Sequence, residues 1–234
     1  MKRILCRLLH LTRVFLLMPE CPVCHKPLID PRERILCFHC LKEIQASNEI
    51  ACPRCGHPVG AGGGICVKCM HSPPPFRSAV CVNAYAGIFR EVILRYKYGK
   101  VTGLARPLSM CLPALSEENR HGLVVIPVPD DPGRRRKFSP VGEIARRYAK
   151  RHGLRYLPGA LVKVRSTPAQ AGLSLTARKR NLKGVFRCRQ DLVKGRDVLL
   201  MDDVFTTGST LSECAGVLSG AGARVRVMTL ARTP

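Results

Sequence analysis

The chain has 234 residues, of which 46% are hydrophobic and 24% are charged, and its formal net charge at neutral pH is +23. The hydrophobic share excludes a disordered chain, and the length accommodates one medium α/β core with a small additional module. Such an excess of cations is unusual for a metabolic enzyme and indicates a polyanionic partner.

The first nineteen residues mix apolar side chains with cations. Arg7, His10 and Arg13 interrupt the apolar run, and no small-residue cleavage site follows, which argues against a secretory signal. The stretch is also too short and too charged to span a bilayer. Residues 1–19 are predicted to form an amphipathic helix that packs on the protein, with a basic helix at a membrane surface as the alternative. We expect a cytoplasmic protein without a transmembrane segment.

Residues 20–72 contain four Cys-x-x-Cys pairs, separated by 12, 11 and 10 residues. Two such pairs supply the four thiolates of a tetrahedral zinc site, and a reducing compartment favours zinc over the alternative, a disulfide framework. The sequence therefore predicts a double zinc ribbon with two structural zinc ions. We assign adjacent pairs to each ion, because short loops close at the lowest entropic cost. The ligands are Cys21, Cys24, Cys37 and Cys40 for one ion, and Cys52, Cys55, Cys66 and Cys69 for the other.

Pro73 to Pro75 are predicted to form a short stiff linker that spaces the ribbons from a second domain, residues 76–234. Apolar runs and helical stripes alternate through this domain. An alternating order of this kind predicts an α/β fold with an open, largely parallel sheet flanked by helices. The predicted strands cover 79–86, 123–129, 156–164, 197–203 and 224–230, and the helices lie around 89–96, 102–112, 141–149 and 211–218.

The run from Val198 to Thr210 carries the strongest functional signal. A buried strand is followed by Asp202 and Asp203, and then by a loop of small and hydroxyl side chains before a helix. Unpaired amides at a helix N-terminus favour phosphate, whereas two strand-end carboxylates suit a vicinal diol. The pattern predicts a site for a 5-phosphoribosyl ligand, and the alternative is an Asp-rich turn that caps a helix. The predicted phosphate-binding residues are Thr206, Thr207, Gly208, Ser209 and Thr210.

This thirteen-residue run resembles the phosphoribosyl-pyrophosphate (PRPP) signature of the type I phosphoribosyltransferases. Together with the cysteine pairs, Tyr96-Lys-Tyr-Gly99 and Ile126-Pro-Val-Pro129, it makes nearly the whole chain similar to the ComF family, a zinc ribbon fused to a phosphoribosyltransferase-like domain. The resemblance implies a PRPP site with Asp202 and Asp203 as its catalytic pair, Mg²⁺ bound with PRPP, and a role in DNA uptake with competence-machinery proteins as partners. The resemblance also implies cations that face the pyrophosphate, for which the candidates are Arg134, Arg135, Arg136 and Arg178.

Two functions remain open at this point. The first is transfer of a phosphoribosyl group to an unidentified acceptor with release of pyrophosphate. The second is a non-catalytic accessory protein, gated by PRPP or a nucleotide, that binds single-stranded DNA. The tract from Arg146 to Arg189 favours the second, because it holds thirteen cations and no acid. A departure from the family pattern bears on phosphoribosyl transfer. The sequence Arg136-Lys-Phe-Ser-Pro140 stands where the family usually has Arg-Gly-Phe-Asn-Gln.

Overall fold

A computed structural model of the chain describes residues 19–30, 35–45, 49–117, 120–133, 138–167 and 181–233. The predicted N-terminal helix, Arg134 to Lys137 and Arg178 therefore lie outside the described residues, apart from Pro19. Within these ranges, no helix has both the length and the apolar character needed to cross a membrane.

A parallel sheet of five strands forms the centre of the larger domain, in the order β1-β7-β6-β2-β3. β6, the strand that carries the acid pair, lies in the middle, paired with β7 on one side and β2 on the other. The α/β class with a parallel sheet is thereby confirmed. The strands are β1 (Ala79–Ala84), β2 (Val124–Pro127), β3 (Arg155–Tyr156), β4 (Leu161–Lys163), β5 (Phe186–Cys188), β6 (Asp197–Phe205) and β7 (Arg224–Arg232).

Helices cover both faces of this sheet. Along β6, Val198 and Leu200 lie in one apolar cluster with the helix residue Leu211, whereas Leu199 and Met201 lie in another with Phe89 and Tyr148. Because successive strand residues point to opposite faces, the two clusters are the two faces of the sheet. The helices are α1 (Phe38–Glu43), α2 (Val67–His71), α3 (Gly87–Lys97), α4 (Ala105–Met110, after a 3₁₀ turn at Thr102–Leu104), α5 (Pro140–Arg151), α6 (Gln190–Val193) and α7 (Ser209–Gly220).

The single strand predicted over 156–164 is wrong. β3 ends at Tyr156, and β4 begins at Leu161 and pairs antiparallel with β5 in a separate two-stranded sheet. Pro158 and Gly159 lie between them. Proline lacks the amide needed for a strand ladder and, with glycine, favours a turn, so the chain leaves the main sheet there.

The two ribbons pack directly on the larger domain, on opposite faces of the sheet. Cys21 and Cys40 belong to the apolar cluster of α3, and Cys52 and Cys69 belong to the cluster of Phe205 and α7. Pro73 to Pro75 therefore do not hold the ribbons apart, contrary to the prediction of a spacer. The assignment of 20–72 and 76–234 as two domains stays a prediction.

Candidate functional site

Two four-cysteine clusters form the predicted metal centres. Cys21, Cys24, Cys37 and Cys40 bring their four sulfurs within 4.8 Å of one another, and so do Cys52, Cys55, Cys66 and Cys69. The Cys24 and Cys37 sulfurs are 3.5 Å apart, and those of Cys55 and Cys66 are 3.6 Å apart. These separations suit a tetrahedral zinc with Zn–S bonds of about 2.3 Å. With all four positions taken by thiolates, both sites are structural, and the predicted pairing of neighbouring Cys-x-x-Cys motifs is confirmed.

The acid pair lies near the carboxyl end of β6, beside the end of α3. The Asp203 carboxylate accepts an ion pair from Lys97 Nζ at 2.7 Å, and both side chains are mostly buried, with 14% and 21% of their surface exposed. Asp202 Oδ1 accepts a hydrogen bond of 2.9 Å from the Asp203 amide. The cation therefore compensates Asp203 more directly than Asp202.

The pKa of Asp202 reflects this asymmetry. Burial and then the negative charge of Asp203 raise the pKa of Asp202 to about 8. Burial disfavours the charged form of Lys97, but attraction to Asp203 outweighs it and raises the pKa of Lys97. Asp202 is thus mostly protonated at neutral pH in the free protein, and hydrogen-bond donors such as ribose hydroxyls would favour its ionised form.

The phosphate loop, residues 206–210, connects β6 to α7. Gly208 is the residue before α7 and has φ of 78°, a left-handed conformation that glycine adopts most readily. A β-carbon at this position would lie 2.6 Å from the ring of Phe205. Thr207 Oγ1 and Ser209 Oγ lie 3.0 Å apart at the N-terminus of α7. Two independent reasons, the left-handed conformation and the lack of space for a β-carbon, therefore favour glycine at position 208. The amides at the start of α7 and these two hydroxyls form a set of donors suited to phosphate.

The loop after β2 adds two acids that the sequence analysis did not single out. The Val128 amide donates to Met201 O at 2.8 Å, which holds the start of this loop next to the acid pair. The Asp130 charge contributes to the raised pKa of Asp202. Asp131 accepts hydrogen bonds from Lys163 Nζ and from the Gly133 amide, and these outweigh burial and hold its pKa well below the ordinary value. Asp131 thereby ties the loop to the end of β4.

The two residues that depart from the family pattern, Ser139 and Pro140, form the start of α5. Ser139 is the N-cap of α5 and accepts a hydrogen bond of 2.9 Å from the Gly142 amide. Pro140 is the first helical residue, where the missing amide hydrogen has no intrahelical partner to lose. Tyr96 packs on Phe138 and donates to Pro140 O at 2.8 Å. The motif that places Lys97 beside Asp203 therefore also fixes the start of α5.

The second ribbon, defined by Cys52 to Cys69, supports the phosphate loop from the other side. Arg232 lies next to Phe205 in the β6–β7 register, with its guanidinium carbon 4.2 Å from the Phe205 ring centroid. Its Nη1 donates to Cys55 O at 2.8 Å. Phe76 meets the Phe205 ring edge-on at 6.3 Å. One zinc knuckle is thus connected through Arg232 to the residue that precedes the loop.

The structure brings the predicted acids and phosphate loop together on one corner of the sheet, and the four predicted arginines lie outside the described residues. Lys97 and Asp131 were missed as site residues. Lys97 lies within the Tyr96-Lys-Tyr-Gly99 motif and Asp131 follows the Ile126-Pro-Val-Pro129 motif, but neither pattern shows which acid or cation the residue will meet.

Comparison with known proteins agrees with this arrangement. Residues 14–82 match the model of a double zinc ribbon domain. The DNA utilization protein YhgH of Escherichia coli strain K12 is 32% identical over 222 residues, which cover 91% of this chain and 96% of the relative. Competence protein F of Haemophilus influenzae is 28% identical over 208 residues, covering 84% and 90%.

The chain belongs to the ComF family. Two solved structures are similar to part of the chain. An allosteric regulatory enzyme of purine biosynthesis is 24% identical, with a TM-score of 0.37, over 54% of this chain and 24% of the other. A glutamine PRPP amidotransferase from Bacillus subtilis is 21% identical, with a TM-score of 0.34, over 54% and 25%.

Proposed function

We propose that this ComF-family protein binds PRPP or a nucleoside 5-phosphate at the corner between β6 and α7. The observation that supports this proposal is that one short segment contains both hydrogen-bond acceptors for a sugar and hydrogen-bond donors for a phosphate. Asp202 and Asp203 are acceptors for a ribose diol, and the phosphate loop follows within three residues, opened by the left-handed Gly208. Acceptors for a diol and donors for a phosphate, at the carboxyl end of parallel strands, match the two ends of a 5-phosphoribosyl group.

With PRPP bound, the proposed reaction is transfer of the phosphoribosyl group. The bond between the anomeric carbon and a pyrophosphate oxygen breaks, an acceptor atom bonds to that carbon, and pyrophosphate leaves. Asp202 and Asp203 would hold the sugar, and Lys97 would keep the paired acids from repelling the anionic donor. Mg²⁺ bound with PRPP would offset the charge of the leaving group. Arg134, Arg135, Arg136 and Arg178 stay our candidates for that role.

The names of the relatives support a place in DNA metabolism. They include a DNA utilization protein and a competence protein, and the similarity to them runs through both the ribbons and the larger domain. We therefore propose that the phosphoribosyl site serves the uptake or use of external DNA, with competence-machinery proteins as partners.

Calorimetric titration with PRPP and Mg²⁺ tests the site. Replacing Asp202 and Asp203 together by Asn should weaken binding at least tenfold, because each change removes a carboxyl group whose ionised form would accept hydrogen bonds from the diol. The matched control is Asp197→Asn at the opposite end of β6, where the carboxylate pairs with Arg224. We expect that control to bind PRPP as the parent does. Equal PRPP affinity in all three proteins would refute the proposed function.

Single-stranded DNA binding without catalysis is the second candidate, and the exposed cations favour it. Within the described residues, Lys150, Arg155 and Arg187 are exposed and make no ion pair, whereas Lys163 is buried against Asp131 and is unavailable. Counterion release predicts that DNA affinity falls steeply as salt rises. Fluorescence anisotropy over a salt series, with Lys150 and Arg187 reversed to Glu, tests it, and a flat salt response would refute it.

A further inference from the structure

A cavity of about 880 Å³ lies between the second zinc ribbon and the phosphate loop. This volume is within the range of small-molecule sites, ~300–1,000 Å³. One wall comes from the ribbon and the other from the end of β7 and the phosphate loop. The residues that matter here are His57, Ile65, Val67 and Lys68 on the ribbon, and Thr206, Thr207 and Arg232 opposite.

The charges in this cavity favour an anion. Lys68 and Arg232 are its cations, and no acidic residue of the described chain lines it. Arg232 donates one hydrogen bond through Nη1 to Cys55 O, but its Nε is buried without a partner among the described residues. Lys68 and Arg232 thus place two positive charges at the cavity without an acidic residue of the described chain in its lining, and a phosphate would be attracted to both.

The ribbon wall also exposes apolar side chains. Ile65 is 49% exposed and Val67 is 69% exposed, and both face the same cavity as Lys68. An apolar edge next to a cation suits a planar base attached to a phosphate, because the base can lie against the aliphatic groups while the phosphate meets the ammonium. The combination indicates a nucleotide-like occupant.

Thr206 and Thr207 connect this cavity to the proposed phosphate site, because both line the cavity and both belong to the phosphate loop. A group attached to the 5-phosphate of a bound ribonucleotide would therefore enter the cavity. We propose that the cavity binds a nucleotidyl group joined through that phosphate, so that the ligand is a phosphodiester whose last ribose has a free diol. A dinucleotide and the 3′ end of an RNA both have this chemistry. The inference rests on the proposed function.

The test compares the affinities of AMP, the dinucleotide ApA and the oligonucleotide A6 by calorimetry at fixed salt. AMP fills the phosphoribosyl site alone, whereas the 3′ nucleotide of ApA fills it with a further adenosine on its 5-phosphate. We expect ApA to bind at least tenfold more tightly than AMP. Lys68→Glu should reduce this ratio to about one, and Lys42→Glu, the same charge change on the exposed surface of the first ribbon, should leave it unchanged. Each protein is first shown to hold two zinc ions per chain.

The outcomes separate the two proposals. If AMP and PRPP both fail to bind the parent protein, the proposed function fails and this inference fails with it. If AMP binds but ApA binds no more tightly, or the ratio survives Lys68→Glu, the cavity assignment alone is overturned. Tighter binding of A6 than of ApA would support an RNA end as the ligand, and equal binding would support a dinucleotide. Deoxyribose d(ApA) should bind more weakly than ApA, because its last sugar lacks the diol proposed to contact Asp202 and Asp203.

Discussion

The two zinc ribbons have the same ligand set and similar spacing, but they contact different parts of the larger domain. The first ribbon, Cys21 to Cys40, packs on the α3 face of the sheet. Just after this ribbon in the chain, Gln45 O accepts a hydrogen bond of 3.1 Å from the Asn83 side chain. The second packs on the α7 face, where Arg232 bridges Cys55 O and the Phe205 ring.

The difference predicts that loss of one or the other metal site will have unequal effects on ligand binding. Small ribbons have little apolar core, so zinc supplies most of their folding free energy in both cases. Among the described residues, however, it is the second ribbon that is connected through Arg232 to Phe205, the residue before the phosphate loop. We infer that the first ribbon chiefly stabilises the helical face and that the second also shapes the ligand site.

The largest expected effect comes from removing one zinc ligand at a time. Cys37 and Cys66 occupy matched positions, each directly before the helix of its ribbon. Cys37→Ser and Cys66→Ser should each lower the zinc content from two to one per chain. Cys66→Ser should also weaken PRPP binding more than tenfold, because the knuckle that supports Arg232 is lost. Metal analysis and calorimetry on folded material check this, and equal losses of PRPP affinity would remove the distinction between the ribbons.

The next effect concerns the bridges between each ribbon and the sheet. Arg232→Met removes a charge-assisted hydrogen bond to Cys55 O and the contact of a cation with Phe205, which should cost about 2 kcal/mol of unfolding free energy. Asn83→Ala removes neutral hydrogen bonds to the first ribbon and should cost about 1 kcal/mol. Urea denaturation gives both values. PRPP affinity should fall only in Arg232→Met, and a fall in both variants would contradict the account.

An effect of comparable size on stability is expected at one glycine contact beside each ribbon. Gly56 has φ of 69°, and an added β-carbon would lie 2.7 Å from Cys81 Sγ of β1. Gly56→Ala should therefore destabilise the protein by about 1–3 kcal/mol. Gly103→Ala would meet only the end of the flexible Ile35 side chain of the first ribbon, and we expect a cost below about 1 kcal/mol. Thermal unfolding ranks the two variants, and the reverse order would be evidence against the tighter second contact.

The smallest expected effect is on the pH dependence of PRPP affinity. It distinguishes the role of the acid pair from that of the zinc ribbons. Burial and the charge of Asp203 raise the pKa of Asp202 to about 8. At neutral pH, binding of a ribose hydroxyl to the ionised carboxylate therefore requires Asp202 to release its proton to solvent. PRPP affinity should rise as pH increases from 7 to 9, by about tenfold in total at most, because the proton of Asp202 is already lost in the free protein above its pKa. Cys37→Ser should keep this rise and Asp202→Asn should lose it. Calorimetry at both pH values decides, and a rise that persists in Asp202→Asn would place the titrating group elsewhere.

Local patterns predicted much of this molecule. The cysteine spacing predicted the correct pairing, because neighbouring Cys-x-x-Cys motifs enclose the shortest loops. The run from Val198 to Thr210 gave the strand, loop and helix, because apolar periodicity and a glycine before the helix are properties of neighbouring residues. The strand predicted over 156–164 was wrong because Pro158 and Gly159 favour a turn within it.

The remaining features depend on contacts between distant parts of the chain. Lys97 meets Asp203 across 106 positions of sequence, and Arg232 meets Cys55 across 177. No period or spacing shows that these partners meet. The proline run at 73–75 likewise predicted separation, because stiffness is a local property, whereas the packing of Cys52 and Cys69 with Phe205 is set by the sheet.

Hydrogen–deuterium exchange with and without PRPP and Mg²⁺ tests the central claim most directly, because it locates the ligand without any substitution. Amides of the phosphate loop and the first turn of α7 would donate to the 5-phosphate and should exchange more slowly when the ligand is present. We predict that the strongest protection falls on peptides covering 202–212, with weaker protection at the second ribbon and none at the first. Protection confined to the ribbons, or absent at 202–212 under saturating PRPP, would contradict the account.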